Sequence, residues 1–504
     1  MLFEKAARSV AVLAFFQALV SASSLVVEIV AGRMLAPYVG MSIYTWTSVI
    51  AVVLAGFSVG HWWGGRIAER ERLSALSQTG WVLIAAAATT AAAVFALHQL
   101  SQAALELFSN PVIEVVALTM AVFFLPSLFA GVPAPVLAQL AVSDKGRQSG
   151  RALGTMFAAG SIGAIFGTLL AGFLFIPALG SSVTLLVVTI AYVAAALFFF
   201  FVVNSRSTSI AALVLGAGAI VLAAVSTSQA SPCTKESQYF CIRIFDVSSN
   251  PASPVKRMVL DHLSHGTSAR DEPQIMFSEF TAMLDGIARG RMEGRTFSSF
   301  FIGGGSYSVP RAWADRGTGP ITVAEIDPQV TQAAIDEFWL DPSKIDIIST
   351  DARRALQSME GDRFDVIIGD AFTDIAVPVH LVSREFFQLV NNRLNDQGVF
   401  LMNVVDFADG LHALAAITRT LQVVFPSVEI WTKTVPPRPN EQRTFVLVAG
   451  KAPSSFSSIT VPSPTRTQFA ALHRSFIDDN LGGLGEFLLT DDYAPVDYLL
   501  LKGR

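Results

Sequence analysis

The chain has 504 residues, of which 52% are hydrophobic and only 15% are charged, and its mean hydropathy is +0.52. This composition excludes a disordered chain and is too apolar for an ordinary soluble enzyme. Residues 1–230 carry 7 acidic and 10 basic residues, whereas the rest of the chain carries 33 and 25. The two halves are therefore suited to different solvents. Net charges of +3 and −8 leave no broad basic face, so we expect no nucleic-acid partner.

The first half, residues 1–228, is predicted to be an all-α membrane domain whose partner is the lipid bilayer. An apolar stretch of about 20 residues crosses the hydrocarbon core as a helix. About seven such stretches occur, near residues 9–32, 44–63, 79–98, 112–142, 153–176, 182–203 and 209–228. The fourth contains Pro126, Pro133 and Pro135. We expect a kink or a break there, and a break would raise the count to eight.

Basic residues near the ends of the spans predict the orientation, because such residues are retained in the cytoplasm. The basic residues that this assignment places in the cytoplasm are Lys5, Arg8, Arg66, Arg70, Arg72, Lys145, Arg147, Arg151 and Arg206. With seven spans, the second half then lies outside the cytoplasm. The protein is expected in a bacterial-type inner (plasma) membrane.

The only two cysteines, Cys233 and Cys241, lie in a predicted linker at residues 229–255. In an oxidising compartment they could close a small disulfide loop, and the alternative is a pair of free thiols. A zinc site is disfavoured because no further Cys or His residues accompany them at metal-binding spacing. No metal is therefore expected.

The second half, residues 256–504, has the pattern of an α/β domain. From about residue 296, short apolar strands alternate with helical stretches, which is typical of a Rossmann-like parallel sheet. The predicted strands are residues 297–302, 321–326, 345–349, 364–368 and 398–404. Glycines follow the first strand, and a carboxylate ends each of the next three. Ligands of open α/β sheets bind outside the carboxyl ends of the strands, so these residues are expected to form a site.

The residues at these strand ends favour an adenosyl ligand. Gly303, Gly304 and Gly305 allow a close approach of the backbone, although tight turns also use glycine for steric reasons alone. Glu325 lies about 20 residues further on, where a carboxylate can accept the hydroxyls of a ribose. Together with Asp351 and Asp370 it disfavours phosphate and suits a positively charged adenosyl sulfonium.

Several phrases resemble the spermidine synthase family: FFIGGGSYSVPRAW, ITVAEIDPQV, IDIISTDARRAL, FDVIIGDAF and, more loosely, MVLDHLSHGTSARDEPQIMFSEF. This family consists of Rossmann-like S-adenosylmethionine-dependent aminopropyltransferases of polyamine biosynthesis. The resemblance covers residues 256–450, and the first half resembles the multi-span segment of membrane-bound members. It implies decarboxylated S-adenosylmethionine or S-adenosylmethionine as the donor substrate.

The resemblance also implies roles for individual residues. Asp370 would be the catalytic base that accepts a proton from the attacking amine. The residues implied to bind the donor are Gly303, Gly304, Gly305, Ser306, Glu325, Asp351, Ala352 and His265. The residues expected on the acceptor side are Glu279, Asp374 and His380.

Two departures from the family affect the choice of substrate. Ser306 stands where the family has an aspartate that helps to bind the cationic tail of the donor. The pair Asp370 and Asp374 is spaced one residue wider than the family pair. Both departures weaken the case for putrescine, because its two ammonium groups need carboxylates or aromatic faces.

Three functions therefore stay open. The first is transfer of an aminopropyl group to a small amine or to a lipid-borne amine acceptor. The second keeps the fold and the sulfonium but transfers a methyl or a 3-amino-3-carboxypropyl group. The third is a transporter or sensor that binds a polyamine or nucleoside without catalysis. For each of them a homodimer is kept as one form of assembly.

Overall fold

The computed structural model describes residues 9–108, 110–143, 148–204, 206–229, 231–371, 377–462, 464–473, 475, 481 and 487–502. The chain divides into two compact units, Met1–Cys241 and Ile242–Arg504. In the part of the chain described, the first unit is almost entirely helical and the second is an α/β unit built on a parallel sheet. The predicted fold class is therefore confirmed.

The first unit is a set of apolar helices. They are α1 (Val10–Val39), α2 (Ile43–Ala68), α3 (Arg72–Leu107), α4 (Pro111–Gly131), α5 (Pro133–Val142), α6 (Ser149–Leu170), α7 (Ile176–Val203) and α8 (Arg206–Thr227). Among the described residues, six helical segments are long and apolar enough to cross a membrane. They are Val10–Val39, Ile43–Ala68, Arg72–Ala104, Val112–Val142, Ser149–Val203 and Thr208–Thr227.

Two of these segments are interrupted. The fourth breaks between Gly131 and Pro133, as its prolines predicted. The fifth runs for 55 residues and contains a π-helical turn at Ala171–Phe175 and a non-helical Gly180 with φ of +77°. A straight helix of that length would measure about 80 Å, far more than the hydrocarbon core of about 30 Å. The predicted fifth and sixth spans divide near Gly180, and the count of seven stays a prediction.

A disulfide closes the segment that follows α8. Cys233 and Cys241 are bonded, with an Sγ–Sγ distance of 2.05 Å. Of the two alternatives that the sequence left open, the disulfide is the one present. The short strand β1 (Lys235–Glu236) lies inside this loop.

The disulfide loop is attached to the helices of the first unit at two points. Buried Arg33 of α1 donates through Nη1 to Tyr239 O at 2.6 Å and through Nη2 to Ser237 O at 3.1 Å. Glu236 accepts hydrogen bonds from the backbone N (3.0 Å) and the Oγ (2.6 Å) of Ser181, next to the break in α7. Both charged side chains are thus used to hold the loop.

The second unit begins with three antiparallel strands and one helix. These are β2 (Cys241–Asp246), β3 (Val255–Leu260), β4 (Leu263–Ala269) and α9 (Glu279–Met292). The segment between β4 and α9 has no regular secondary structure.

The main sheet has nine strands among the described residues, in the order β12-β13-β10-β11-β9-β8-β5-β6-β7. Its strands are β5 (Ser299–Ile302), β6 (Ile321–Ala324), β7 (Asp346–Ile348), β8 (Phe364–Gly369), β9 (Leu394–Phe407), β10 (Ser427–Lys433), β11 (Gln442–Gly450), β12 (Ser458–Val461) and β13 (Thr467–Ala471). The helices are α10 (Ser308–Arg316), α11 (Pro328–Glu337), α12 (Ala352–Ser358), α13 (Arg384–Asn392), α14 (His412–Val424) and α15 (Val496–Lys502), with 3₁₀ turns at Pro342–Lys344 and Val379–Leu381.

Strands β9, β8, β5, β6 and β7 are parallel, and the remaining strands of the sheet are antiparallel. Side chains of α9 and α10 bury one face of the sheet, and those of α12, α13 and α14 bury the other. Strands covered on both faces read as apolar runs such as Ser299–Ile302, which is why the sequence revealed them. The order places the switch point between β5 and β8, where such sheets bind their ligands.

Side chains cap the N-termini of two helices in the second unit. Asp327 caps α11 by accepting from Gln329 N at 2.9 Å, and Pro328 occupies the first turn. Ser383 caps α13 in the same way through Phe386 N. These caps satisfy backbone donors that have no partner inside the helix.

Candidate active site

The glycine turn after β5 brings two other segments close to it. Gly303 and Gly305 have φ values of +92° and +51°, which side chains rarely allow. A Cβ at Gly303 would lie 2.6 Å from Asp370 O, and one at Gly305 would lie 2.8 Å from His265 O. Neither position therefore has room for a side chain. The turn lies directly against the end of β8 and against β4.

Glu325 binds the backbone of this turn. It is 5% exposed, and its Oε2 accepts from Gly304 N at 2.8 Å and Gly305 N at 3.4 Å. Its Oε1 accepts from Asp327 N at 2.9 Å. Burial raises the pKa of Glu325, and the three backbone donors oppose that rise by stabilising the carboxylate. A carboxylate has about four lone-pair sites, so this one retains capacity for a further donor.

Asp370 follows β8 at the switch point. Its backbone N donates to Ile302 O at 3.0 Å, and its Oδ1 accepts from Asn403 Nδ2 at 2.9 Å. Burial raises the pKa of Asp370 to about 6, although the bond from Asn403 lowers it. A carboxylate with a pKa close to the working pH is well matched to take a proton from an ammonium or amine.

Asp351 and His380 form a pair at the end of β7. Asp351 caps α12 through Arg354 N at 3.0 Å, and its Oδ2 lies 2.7 Å from His380 Nε2. The contact with His380 holds the pKa of Asp351 below its usual value. Buried Ala352 is the first residue of α12. The structure therefore places His380 beside Asp351 and Ala352, two of the residues implied to bind the donor.

A salt bridge between Arg353 and Asp491 lies next to this pair. Arg353 binds Asp491 with both terminal nitrogens, at 2.7 and 2.6 Å, and donates to His380 O at 3.1 Å. Asp491 also accepts from Ser383 Oγ at 2.5 Å. In the sequence, the acidic run around Asp491 is typical of solvated surface. In the structure it fixes the C-terminal segment to the region around Asp351.

His265 and Ser306 lie on the β4 side of the turn. The ring of His265 donates through Nδ1 to Leu263 O at 2.9 Å, and burial lowers its pKa to about 4. The ring is therefore neutral near pH 7. Ser306 is 1% exposed, and its Oγ lies 2.6 Å from Ser308 Oγ. Its hydroxyl is thus occupied within the protein, where the family's aspartate would meet the donor.

The residues predicted on the acceptor side are not all gathered together. Glu279 begins α9 and lies 3.4 Å from Lys433 Nζ, so a lysine ammonium already occupies one of its oxygens. It lines a cavity of about 210 Å³ together with Phe277, Thr467 and Phe469. His380 lies at the donor side, and Asp374 falls outside the described residues.

Sequence reasoning missed Asn403 and Lys433. Asn403 is 3% exposed on β9 and would have been detectable as a single amide within the apolar run FLMNVV. Lys433 ends β10 and pairs with Glu279 and with Glu441, the latter at 2.9 Å. No local signal marks Lys433.

Among the residues described, no group of three or more His, Cys, Asp or Glu residues could hold a metal ion.

A glycine turn held by a buried carboxylate, with further carboxylates at the ends of adjacent parallel strands, defines a Rossmann-like site for a nucleoside-type ligand. Residues 302–458 match the family model of the spermine/spermidine synthase domain. The chain therefore carries a spermine/spermidine synthase domain after its apolar helices. The sequence resemblance is confirmed at this level.

Parts of the chain are similar to curated relatives and to a solved structure. A "Probable polyamine aminopropyl transferase" of Bifidobacterium longum is 29% identical over 195 residues, covering 36% of this chain and 43% of the relative. An "N-terminal histidine N-methyltransferase" of Emericella nidulans is 31% identical over 144 residues, or 28% and 25%. The chain thus spans less than half the length of these two curated relatives. The crystal structure of a probable spermidine synthase from Corynebacterium glutamicum has 19% identity and a TM-score of 0.44, covering 50% of this chain and 93% of that one.

Proposed function

We propose that the protein is an aminopropyltransferase that moves an aminopropyl group from decarboxylated S-adenosylmethionine to an amine acceptor. The observation that carries this is the position of Asp370. Its backbone lies against the glycine turn, and its carboxyl group has a pKa near 6. The matched family model and the polyamine aminopropyltransferase relative support the same reaction.

The proposed step is a single displacement. The acceptor nitrogen attacks the aminopropyl carbon attached to the sulfonium, the C–S bond breaks, and methylthioadenosine leaves. Asp370 accepts the proton that the nitrogen loses. Because the sulfonium is already an activated leaving group, the protein has to position the two substrates and remove this proton. Glu325 and Asp351 are proposed to hold the ribose and the adenine edge.

The helices of the first unit are proposed to anchor this chemistry to the inner membrane, with the second unit outside the cytoplasm. Their length and apolar character support anchoring. The Cys233–Cys241 disulfide supports an oxidising side, because disulfides persist in such compartments. A membrane location makes a lipid-borne amine a candidate acceptor beside a small polyamine.

Transfer of a methyl group is the second candidate. It is favoured by the similarity to the N-terminal histidine N-methyltransferase and by the enclosed hydroxyl of Ser306. Without a carboxylate at that position, the turn lacks a group that would select the cationic tail of the decarboxylated donor. Methyl transfer uses the same sulfonium and leaves S-adenosylhomocysteine.

The two reactions are distinguished by their thioether products. The full chain, purified in detergent and in lipid nanodiscs, is incubated with each sulfonium and with putrescine, spermidine or phosphatidylethanolamine, and the products are measured by mass spectrometry. Methylthioadenosine formed only with the decarboxylated donor supports aminopropyl transfer, whereas S-adenosylhomocysteine supports methyl transfer. Donor binding without either thioether would contradict both and favour a sensor or transporter.

Asp370→Asn tests the assigned base. It is expected to abolish turnover and to leave donor affinity within about twofold, since the amide keeps the shape but cannot take the proton. Exposed Asp362 on the preceding loop provides the matched control as Asp362→Asn, which should retain full activity. Equal activity in the two variants would rule out Asp370 as the base.

A further inference from the structure

A second cavity lies at the same end of the sheet, beyond β9. Its volume is about 240 Å³, smaller than the 300–1,000 Å³ that is typical for drug-sized ligands. Its walls are largely apolar and include Leu411, Pro436, Phe445 and Leu472. Two charged residues also line it, Lys433 of β10 and Arg443 of β11. The size and the lining suit a small molecule with an apolar body.

Arg443 is buried and incompletely paired. It is only 4% exposed. Its Nε donates to Thr432 Oγ1 at 2.9 Å, and its Nη2 donates to Lys433 O and, at 2.6 Å, to Val435 O. Its Nη1 has no hydrogen-bond partner among the described residues. All the acceptors in use are neutral, which is an unusual arrangement for a buried cation.

The neighbouring carboxylates are already engaged elsewhere. Glu279 and Glu441 both contact Lys433 Nζ, and Glu441 also accepts from Arg438 N at 2.8 Å. Asp406 is directly opposite Arg443 in the β9–β11 ladder, but its two oxygens accept from the backbone of residues 407 and 414, at 2.8 and 2.9 Å. Within the described part of the chain, no carboxylate forms an ion pair with the guanidinium.

This cavity is separate from the site around Asp370. Side chains alternate between the two faces of a strand, and Arg443 shares its face with Phe445. Val446 points to the other face, and its ladder partner is Asn403, which binds Asp370. The cores confirm this division, because Phe445 and Val446 belong to opposite faces of the sheet.

We propose that this cavity binds a small anion with an apolar body, a carboxylate whose oxygens meet the free Nη1 of Arg443. Arginine presents paired donors that match carboxylate and phosphate oxygens, so the charged group of the ligand supplies the acceptor that the described residues do not offer to Nη1. The apolar walls then select the uncharged part of the ligand. The proposal concerns binding alone and does not depend on the transfer reaction.

Ligand-observed NMR titration tests this inference. The full chain, solubilised in detergent, is titrated with benzoate, benzamide, benzylamine and inorganic phosphate. Benzoate is expected to bind, and benzamide and benzylamine to bind at least tenfold more weakly. Arg443→Met should weaken benzoate about tenfold or more, because a charge-assisted hydrogen bond is lost. Arg438→Met, on the exposed loop beside it, is the matched control and should leave benzoate binding unchanged.

A second variant tests the cavity independently of the guanidinium. Ala470→Leu fills the cavity and keeps the guanidinium, so it should also abolish benzoate binding. If the wild type binds phosphate and Arg443→Met does not, the cavity is still an anion site, but its ligand is phosphate. Benzoate binding that persists in both variants, or the absence of benzoate and phosphate binding in the wild type, would overturn the proposal.

Discussion

Asn403 donates a hydrogen bond of 2.9 Å from its Nδ2 to Oδ1 of Asp370, and this bond connects β9 to the end of β8 at the switch point of the sheet. Burial raises the pKa of Asp370 to about 6, and the bond from Asn403 limits the rise because it stabilises the ionised form. Asn403 is therefore assigned as a positioning residue. Its hydrogen bond is expected to orient the proposed base and to lower its proton affinity.

Replacing Asn403 with Leu should move the acid limb of the pH–rate profile upwards. The base acts only when ionised, so the rate of the wild type is expected to fall as the pH drops through about 6. Without the donor, the pKa of Asp370 is expected to rise further, because the hydrogen bond from Asn403 lowers it. Exposed Asn392 provides the control as Asn392→Leu. An unshifted acid limb in Asn403→Leu would show that the bond has no influence on the base.

Asp370→Asn should stabilise the folded protein at neutral pH. The folded pKa of about 6 lies above the ordinary value of 3.8, so the folded state binds the proton more tightly than the unfolded state. The contribution of Asp370 to stability is therefore greatest below about pH 4 and is lost as the pH rises through 6. The asparagine variant avoids this loss, which is worth about 1–2 kcal/mol for a partly buried group.

Thermal unfolding at several pH values measures this effect. The difference in Tm between Asp370→Asn and the wild type should be near zero at pH 4 and positive above pH 6. Asp362→Asn again serves as the exposed control. A stability difference of the opposite sign at pH 7 would mean that the ionised carboxylate is stabilised in the folded protein, contrary to the raised pKa.

The parallel sheet could be predicted from sequence because its strands are short apolar runs bounded by glycines and carboxylates. The predicted strand at 321–326 ends earlier, at Ala324, because Glu325 turns back to the glycine turn. Strand β9 begins earlier than predicted, at Leu394, because Leu394 pairs with Phe364 of β8 before the register shifts to the pair Val366–Val399. Buried apolar patterning does not report such an irregularity in the register.

Contacts between residues far apart in the chain could not be predicted from the sequence. Asn403 meets Asp370 across 33 residues, and Lys433 meets Glu279 across 154. The first pair depends on which strands are neighbours in the sheet, and the second on which strand lies beside α9. Neither arrangement is encoded in a local pattern. For the same reason the resemblance suggested a role for Glu279 in binding an amine, but it did not reveal the lysine already beside it.

Glu325→Gln is expected to weaken binding of the donor and of its thioether product. The amide keeps one acceptor oxygen but turns an NH₂ group towards a backbone donor of Gly304 or Asp327, which leaves both groups unpaired. The loss should be about 1–3 kcal/mol, or about five- to 150-fold in Kd. Isothermal titration with methylthioadenosine measures it, with exposed Glu360→Gln as the control. Equal affinities in the two variants would show that the site is placed wrongly.

Loss of the disulfide should destabilise the first unit. Closing a loop of this length restricts the unfolded chain by about 2–3 kcal/mol. In Cys233→Ser with Cys241→Ser, the carbonyls that accept from Arg33 are also less firmly held. The double variant should unfold at a lower temperature than the oxidised wild type, and a reductant should lower the Tm of the wild type alone. If a reductant lowered the Tm of the double variant by as much as that of the wild type, the effect would not come from this disulfide.

A reporter fused to the C-terminus should be active outside the cytoplasm. The predicted seven spans, with their basic loops inside, would place the second unit there, and the disulfide is consistent with an oxidising compartment. Alkaline phosphatase, which needs that compartment to fold, should therefore be active in the fusion, and a green fluorescent protein fusion made at the same residue should be dark. The reverse result would place the second unit in the cytoplasm. An even number of crossings would then be required, with the long segment around Gly180 as the first place to revise the count.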